Sequence, residues 1–219
     1  MNIKISKELS ELCPGASLMV LSYETVVQKS SEDLLTLLDK TIAELHSRYT
    51  MADLSEISHI KDTRTAYRSL GKSPTAYRNA SEAMLRRIVK GSGLYHINNV
   101  VEINNLISVT TGYSVGTYDT DFLSGNVEWK RSPDGESYQG IGKDILNIEH
   151  LPTLYDEQGA FGNPTSDSRR AMISIGKHRI SSVLYSFSGQ DQFETIASQY
   201  QKWLVDFCAV EKLNINIVN

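Results

Sequence analysis

The chain reads as an α+β protein, because of where its two kinds of periodicity fall. Apolar residues recur at helical spacing mainly in the first half and again in one long stretch near the C-terminus. Between them lie short β-branched or aromatic runs separated by Gly, Pro and Asp turns, without the regular strand–helix alternation of a doubly wound sheet.

The first element, "ASLMVLSYETVV", follows a Cys-Pro-Gly turn and reads as a strand. A helix follows, since Ser30 and Ser31 precede Glu32 and Asp33 in the first turn, and Leu34, Leu35, Leu38, Ile42 and Leu45 recur on one side. Ser73 before Pro74 is a helix-start signal, with a break expected at Asn79 to Ser81 and "SEAMLRRIVK" continuing to Gly91. In "LYHINNVVEINNLISVTTG", Ile97, Val100, Val101 and Ile107 share one side of a helix ending at Gly112. Strands are expected at "GNVEWKR", "DILNI", "PTLYD", "AMISI" and "RISSVLYSF". Phe193, Ile196, Ala197, Tyr200, Trp203, Leu204 and Phe207 then mark an amphipathic helix, and "LNINIV" closes the chain as a strand.

The 219 residues, 40% apolar and 22% charged, suit one globular domain over 1–219. No run of about 18 apolar residues offers a membrane span, and "MNIKISKELSELCPG" lacks the apolar core of a signal peptide, so a cytoplasmic protein with no membrane partner is expected. Cys13 and Cys208 form no C-x-x-C pair and read as reduced, partly buried thiols. The five histidines show no H-x-x-x-H or H-E-x-x-H spacing, so no metal and no cofactor is expected, and His178 in "GKHRI" reads as a turn residue. Neither a G-x-S-x-G nucleophile frame nor a G-x-x-x-x-G-K-[ST] phosphate loop is present.

Net charge is -4, yet Lys61 to Lys90 carries eight basic residues against Asp62 and Glu82, a local +6 that leaves -10 for the remainder. Inside it, "TAYR" occurs twice, at 65–68 and 75–78. Ten residues at helical pitch would set the copies about 80° apart, so they are not equivalent teeth on one face. The first copy precedes a Leu-Gly turn and the second is expected within a helix. Arg64, Tyr67 and Arg68 admit two readings: a clamp for phosphate with a base stacked on the tyrosine, or side chains that bind internal acids and rim the core. Arg86 and Arg87, being adjacent, point in different directions, so at most one faces a given ligand.

"TRTAYRSLGKSP" followed by "ASEAMLRRIVKGSGLYHINNVVEINNLISVTTGYSVGTYD" resembles the tRNA-binding and editing module, the third and fourth domains, of the phenylalanyl-tRNA synthetase β subunit, most closely its freestanding versions. The likeness continues through "GNVEWKR", "GESYQGIG" and "DEQGAFGNPTSDSRRAMIS", covering roughly residues 60 to 190, with the N-terminal strand and helix and the C-terminal helix packed on it. The resemblance implies stacked β layers with flanking helices, tRNA or aminoacyl-tRNA as partner, and metal-independent hydrolysis of mischarged aminoacyl-tRNA in trans. Nothing in the chain resembles an aminoacylation core, so it is not a complete ligase. The segment that supplies the family's editing histidine corresponds to Gly112–Asp119; Asp119 matches, but the histidine position is Gly116, and a pocket glutamate falls at Ser174. No catalytic residue is therefore assigned.

In place of the family's set, "GAFGNPTSDSRR" offers Gly159 and Gly162 for close backbone approach, Asn163, Thr165, Ser166 and Ser168 as hydrogen-bonding groups, and Asp167 as a carboxylate. With Thr117 and Asp119 brought near by the implied fold, these would form a substrate pocket able to hold an amino acid's ammonium group. A tight turn capped by its own Asn, Ser and Thr side chains is the other reading of the loop. A tRNA-binding role through Arg64, Tyr67, Arg68, Arg86 and Arg87 leads, and a protein that binds a free amino acid or other small molecule without tRNA contacts is its alternative. A purely structural partner subunit would leave the polar loop without a purpose.

Overall fold

The computed structural model describes residues 1–142 and 144–219. Short β1 (Ile3–Ile5) and α1 (Lys7–Leu12) lead into the long strand β2 (Ser17–Val27), which begins where the sequence places it. The Ser31 hydroxyl accepts the Leu34 N–H and starts α2 (Glu32–Arg48), with Glu32 and Asp33 in the first turn, where negative charge meets the positive end of the helix dipole. Next come α3 (Ser58–Ser69), α4 (Ala80–Val89) and α5 (Asn99–Thr111), the last stopped by Gly112 at φ 85°. From there strands dominate: β3 (Ser114–Asp119), β4 (Val127–Arg131), β5 (Ser137–Gln139), β6 (Ile145–Asn147), β7 (Pro152–Asp156), β8 (Gly159–Gly162) and β9 (Gly176–Ser186). The chain closes with α6 (Phe193–Cys208) and β10 (Leu213–Val218).

Two four-stranded sheets result. One runs β10-β2-β9-β3, antiparallel throughout; the other runs β1-β4-β7-β8, with only β1 and β4 parallel, and β5 and β6 form a separate hairpin. The first sheet is covered on both faces, and strand alternation sorts its residues between them. Met19, Leu21, Ile180 and Leu184 pack on Leu34 and Leu38 of α2, Ile103 and Ile107 of α5, and Tyr200 and Leu204 of α6. Leu18, Val20, Tyr118, Val183 and Tyr185 face Trp129, Leu154 and Phe161 of the second sheet. Each such side chain removed from water contributes about 1.5–3 kcal/mol. A third cluster, with Leu45, Leu54, Ile60, Leu85, Ile88 and Val109, ties α3 and α4 to α2 and α5. The architecture is α+β, with helices, sheet and sheet in layers.

Three local expectations are corrected. The Ser73–Pro74 signal opens only a turn, because Asn79 makes the better cap: its Oδ1 accepts the Glu82 N–H at 2.8 Å and fixes the start of α4 at Ala80. The second "TAYR" copy therefore lies outside any helix. "AMISI" is no strand either, since the Ser168 side chain caps a single 3₁₀ turn, Arg169–Ala171, and only Ile173 of the following residues is buried. Ile97 sits before α5 and is exposed, the Asn98 side chain being the cap. Among the described residues no helix is long and apolar enough to cross a membrane. Cys13 and Cys208 are both free and buried, and burial pushes their thiols up to about 11 and about 12.

Candidate functional site

The loop after β8 is held by three tyrosines, Tyr67, Tyr118 and Tyr138. Asn163 Oδ1 accepts the N–H groups of Thr165 and Ser166, at 2.9 and 3.1 Å, and its Nδ2 donates to the Tyr138 hydroxyl at 2.7 Å. Tyr138 in turn donates to the Ser166 carbonyl, and the Thr165 hydroxyl lies 2.8 Å from that of Tyr67. Ser168 caps the 3₁₀ turn, and Arg170 anchors it by pairing bidentately with Asp156 at 2.7 and 3.0 Å while donating to the Gly159 carbonyl. The hydrogen-bonding capacity of this loop is directed inward, as in the capped-turn reading.

Gly116 and Gly162 serve one side chain. The Tyr118 hydroxyl lies between them: a Cβ added at either glycine would stand 2.1 Å from its oxygen. That hydroxyl donates to Asp167 Oδ1 at 2.7 Å and lies 2.6 Å from the Tyr185 hydroxyl, with the Tyr118 ring edge-on to Phe161. Burial raises the Asp167 carboxyl to about 7, against the lowering pull of the bonds from Tyr118 and from backbone at Asn163. The close approach anticipated at Gly162 is thus made by a tyrosine, and so is the filling of the space beside Gly116.

Thr117 and Asp119 do not join Asp167. Neighbours on a strand point to opposite faces, so Gly116 and Tyr118 face the second sheet while Thr117 and Asp119 face the helices. Thr117 belongs to a buried network with Asn104, Ser182, Tyr23 and Tyr200, in which its hydroxyl lies 2.9 Å from that of Ser182. Asp119, 2% exposed in its side chain, places Oδ2 2.7 Å from His178 Nδ1, and the other ring nitrogen of His178 lies 3.4 Å from the Ser174 hydroxyl. The substrate pocket anticipated from Thr117, Asp119 and the 159–168 loop is divided by the sheet. His178, read from sequence as a turn residue, lies within β9 and links Asp119 to Ser174. No local motif joins positions so far apart in the chain; only the pairing of β3 with β9 does.

The basic segment also has a centre. Glu82, 2% exposed on α4, receives Arg64 at 3.1 Å, Arg78 at 3.6 Å and Arg86 at 4.0 Å. Three guanidinium groups around one carboxylate leave a local charge of +2, and about a third of the Arg78 and Arg86 side chains stays exposed. The i,i+4 spacing of Arg78 and Arg86 about Glu82 is visible in the sequence, though the role of Glu82 was missed there. Tyr67 is buried, so it rims the core and is not available to stack on a base, whereas Arg68 is exposed. Arg87 turns away to the Gly93 carbonyl and the Tyr95 ring, and Lys72 is buried against Asn147 and Tyr77. Of the two adjacent arginines, only Arg86 reaches the cluster. Among the described residues, no three His, Cys, Asp or Glu side chains are grouped as metal ligands.

Comparison with known proteins finds a match to the family model of the B3/4 domain over residues 62–178. That stretch holds the arginine cluster, the tyrosine-bound loop and the Asp119–His178–Ser174 group. No curated protein matches the chain. Among solved structures it is similar to an N-terminal fragment of the phenylalanyl-tRNA synthetase β-subunit from Pyrococcus horikoshii, at 9% identity and a TM-score of 0.48, covering 99% of this chain and 50% of that one. The chain spans half the length of that fragment.

Two outcomes are expected. Gly116→Ala, whose Cβ meets the Tyr118 hydroxyl, lowers stability by about 1–3 kcal/mol in urea unfolding. Asp167 holds its proton more tightly folded than unfolded, so its contribution to stability is full below about pH 4 and lost as pH rises to about 7. Asp167→Asn keeps the acceptor for Tyr118 without the charge; its advantage over the wild type in the same assay is small near pH 4 and grows to about 2–4 kcal/mol by about pH 8.

Proposed function

The chain belongs to the B3/4 domain family, and from that premise we propose that it binds tRNA through the cluster of Arg64, Arg78 and Arg86 around Glu82, acting in the cytoplasm where charged tRNA is found. The arginine cluster carries the reading. A single buried carboxylate fixes three guanidinium groups but cancels only one of their charges, so Arg78 and Arg86 present oriented, unneutralised donors at the surface. Exposed Arg68 on α3 and Lys90 at the end of α4 add to this charge. A phosphate backbone supplies what the cluster lacks, and negative charge over the rest of the molecule confines the polyanion to this side. Removal of mischarged amino acids in trans is the finer form of this reading. It finds no support beside Gly116, where the Tyr118 hydroxyl fills the space a pocket side chain would use.

Binding of uncharged and aminoacylated tRNA, followed by fluorescence anisotropy across a salt series, tests this. Affinity falls by roughly tenfold or more from about 50 to about 200 mM salt, and Arg78→Gln or Arg86→Gln each weakens binding and reduces the salt slope by about one. Binding that ignores both salt and these substitutions would sink the proposal.

A second reading, binding of a free amino acid, is favoured by an open groove of about 1160 Å³ lined in part by Ser22, Glu24, Lys177, Arg179 and Lys212. Its charges of both signs suit a zwitterion. A free amino acid at millimolar level would then raise the melting temperature, and Glu24→Gln would remove the shift.

A further inference from the structure

At the helix-facing end of the central sheet, three side chains stand in a line of increasing exposure. Asp119 is buried, His178 is 16% exposed in its side chain, and Ser174, in the coil before β9, is open to solvent. The Asp119 carboxylate makes two contacts: Oδ2 lies 2.7 Å from His178 Nδ1, and Oδ1 accepts the Asp121 N–H at 3.0 Å. With Nδ1 turned to the carboxylate, a neutral imidazole that carries its hydrogen there has its lone pair on Nε2. That lone pair faces the Ser174 hydroxyl at 3.4 Å, long for a hydrogen bond and of the order seen in hydrolases before substrate binds. Among the described residues, the backbone N–H groups of Ser174 and Ile175 have no carbonyl partner. Met172 and Ile175 expose apolar side chains on either side of the serine.

We propose that Ser174 and His178 are catalytic residues of a carboxylic-ester hydrolase site, with Asp119 as the positioning residue. His178 Nε2 takes the Ser174 hydroxyl proton as Oγ bonds to the ester carbonyl carbon, and the charge that develops on the carbonyl oxygen meets the N–H groups of Ser174 and Ile175. The tetrahedral centre collapses, the carbon–oxygen bond to the alcohol breaks, and the departing alkoxide takes the proton from Nε2. Water then adds to the acyl-serine, giving its proton to Nε2, and the acid leaves as the serine recovers its hydrogen from the imidazole. The apolar surface of Met172 and Ile175 suits a small acyl group. An ester of a free alcohol and an aminoacyl ester on a tRNA 3′ end share this chemistry. The site does not depend on the arginine cluster and lies apart from the tyrosine-bound loop.

The wild-type chain is incubated with a fluorophosphonate probe, which transfers its phosphorus to an activated serine with loss of fluoride, and adducts are read by intact-mass and peptide mass spectrometry. One adduct per chain at Ser174 is expected, absent in Ser174→Ala and formed at least about 100-fold more slowly in His178→Gln. In parallel, p-nitrophenyl acetate and an aminoacyl-tRNA are offered. Turnover of either that is lost in Ser174→Ala supports the site and identifies which source of ester it takes. With the ester that is turned over, Asp119→Asn lowers kcat while leaving KM and the melting temperature near wild type, a split that a purely structural aspartate would not give. Ser174 is exposed, so its alanine variant tests the idea without a folding defect. Absence of a Ser174 adduct, or turnover unchanged in Ser174→Ala and His178→Gln, overturns the proposal. Failure of tRNA binding leaves the small-ester arm intact, so the two readings fail separately.

Discussion

The central sheet β10-β2-β9-β3 is covered on both faces, by helices on one side and by the second sheet on the other, and this double burial governs what its polar residues can do. A buried hydroxyl or carboxyl without a partner costs about 1–3 kcal/mol, so each must find one on whichever face alternation assigns to it. On the sheet-facing side the Tyr118 and Tyr185 hydroxyls meet each other and Asp167. On the helix-facing side Tyr23, Thr117, Ser182, Asn104 and Tyr200 close a separate network. Because a strand cannot turn one residue to both faces, two polar systems arise where the loop composition suggests one.

That same constraint explains which parts of the molecule were legible in the sequence. The helices α2 and α6 show themselves because burial repeats along them at 3.6 residues, and the strands β2, β4, β7 and β9 because they are apolar, β-branched or aromatic runs bounded by turns. Strand β3 was missed, since "SVGTYD" contains a glycine that breaks the apolar pattern, and that glycine exists to admit the Tyr118 hydroxyl. The Ser73–Pro74 signal failed because the choice between two caps is made by tertiary contact: the Ala80 N–H donates to the Pro164 carbonyl at 2.7 Å, which holds the start of α4 against the tyrosine-bound loop. The composition of that loop was legible; the inward direction of its side chains was not, since its partners Tyr67, Tyr118 and Tyr138 come from three distant segments.

The arginine segment shows how a charge count differs from a charged surface. Eight basic residues in 61–90 give +6 on paper, yet Lys72 is buried, burial lowering the pKa of its ammonium, and Arg87 is spent on a carbonyl and a ring. What remains at the surface is organised by Glu82. Removing one partner from a buried ion pair costs about 3–5 kcal/mol, and here the remaining partners would be three like charges drawn together. The carboxylate is thus the reason the guanidinium groups stay near one another in the free protein, and a phosphate group would meet them already assembled.

Placement on opposite faces also accounts for the chemistry available beside β3. The resemblance puts a histidine at position 116, where its side chain would project toward the second sheet; here that volume belongs to Tyr118, and the carboxyl it meets, Asp167, is raised to about 7. A group so poised and bonded to a tyrosine secures a turn. An imidazole instead rises from β9 on the opposite face, where Asp119 orients it and Ser174 stands in reach of solvent. The Asp119 carboxylate can take up that task only because residue 119 lies one step beyond Tyr118 and so points away from the tyrosines. A two-residue period has separated a carboxyl that stabilises a loop from one that can direct a base.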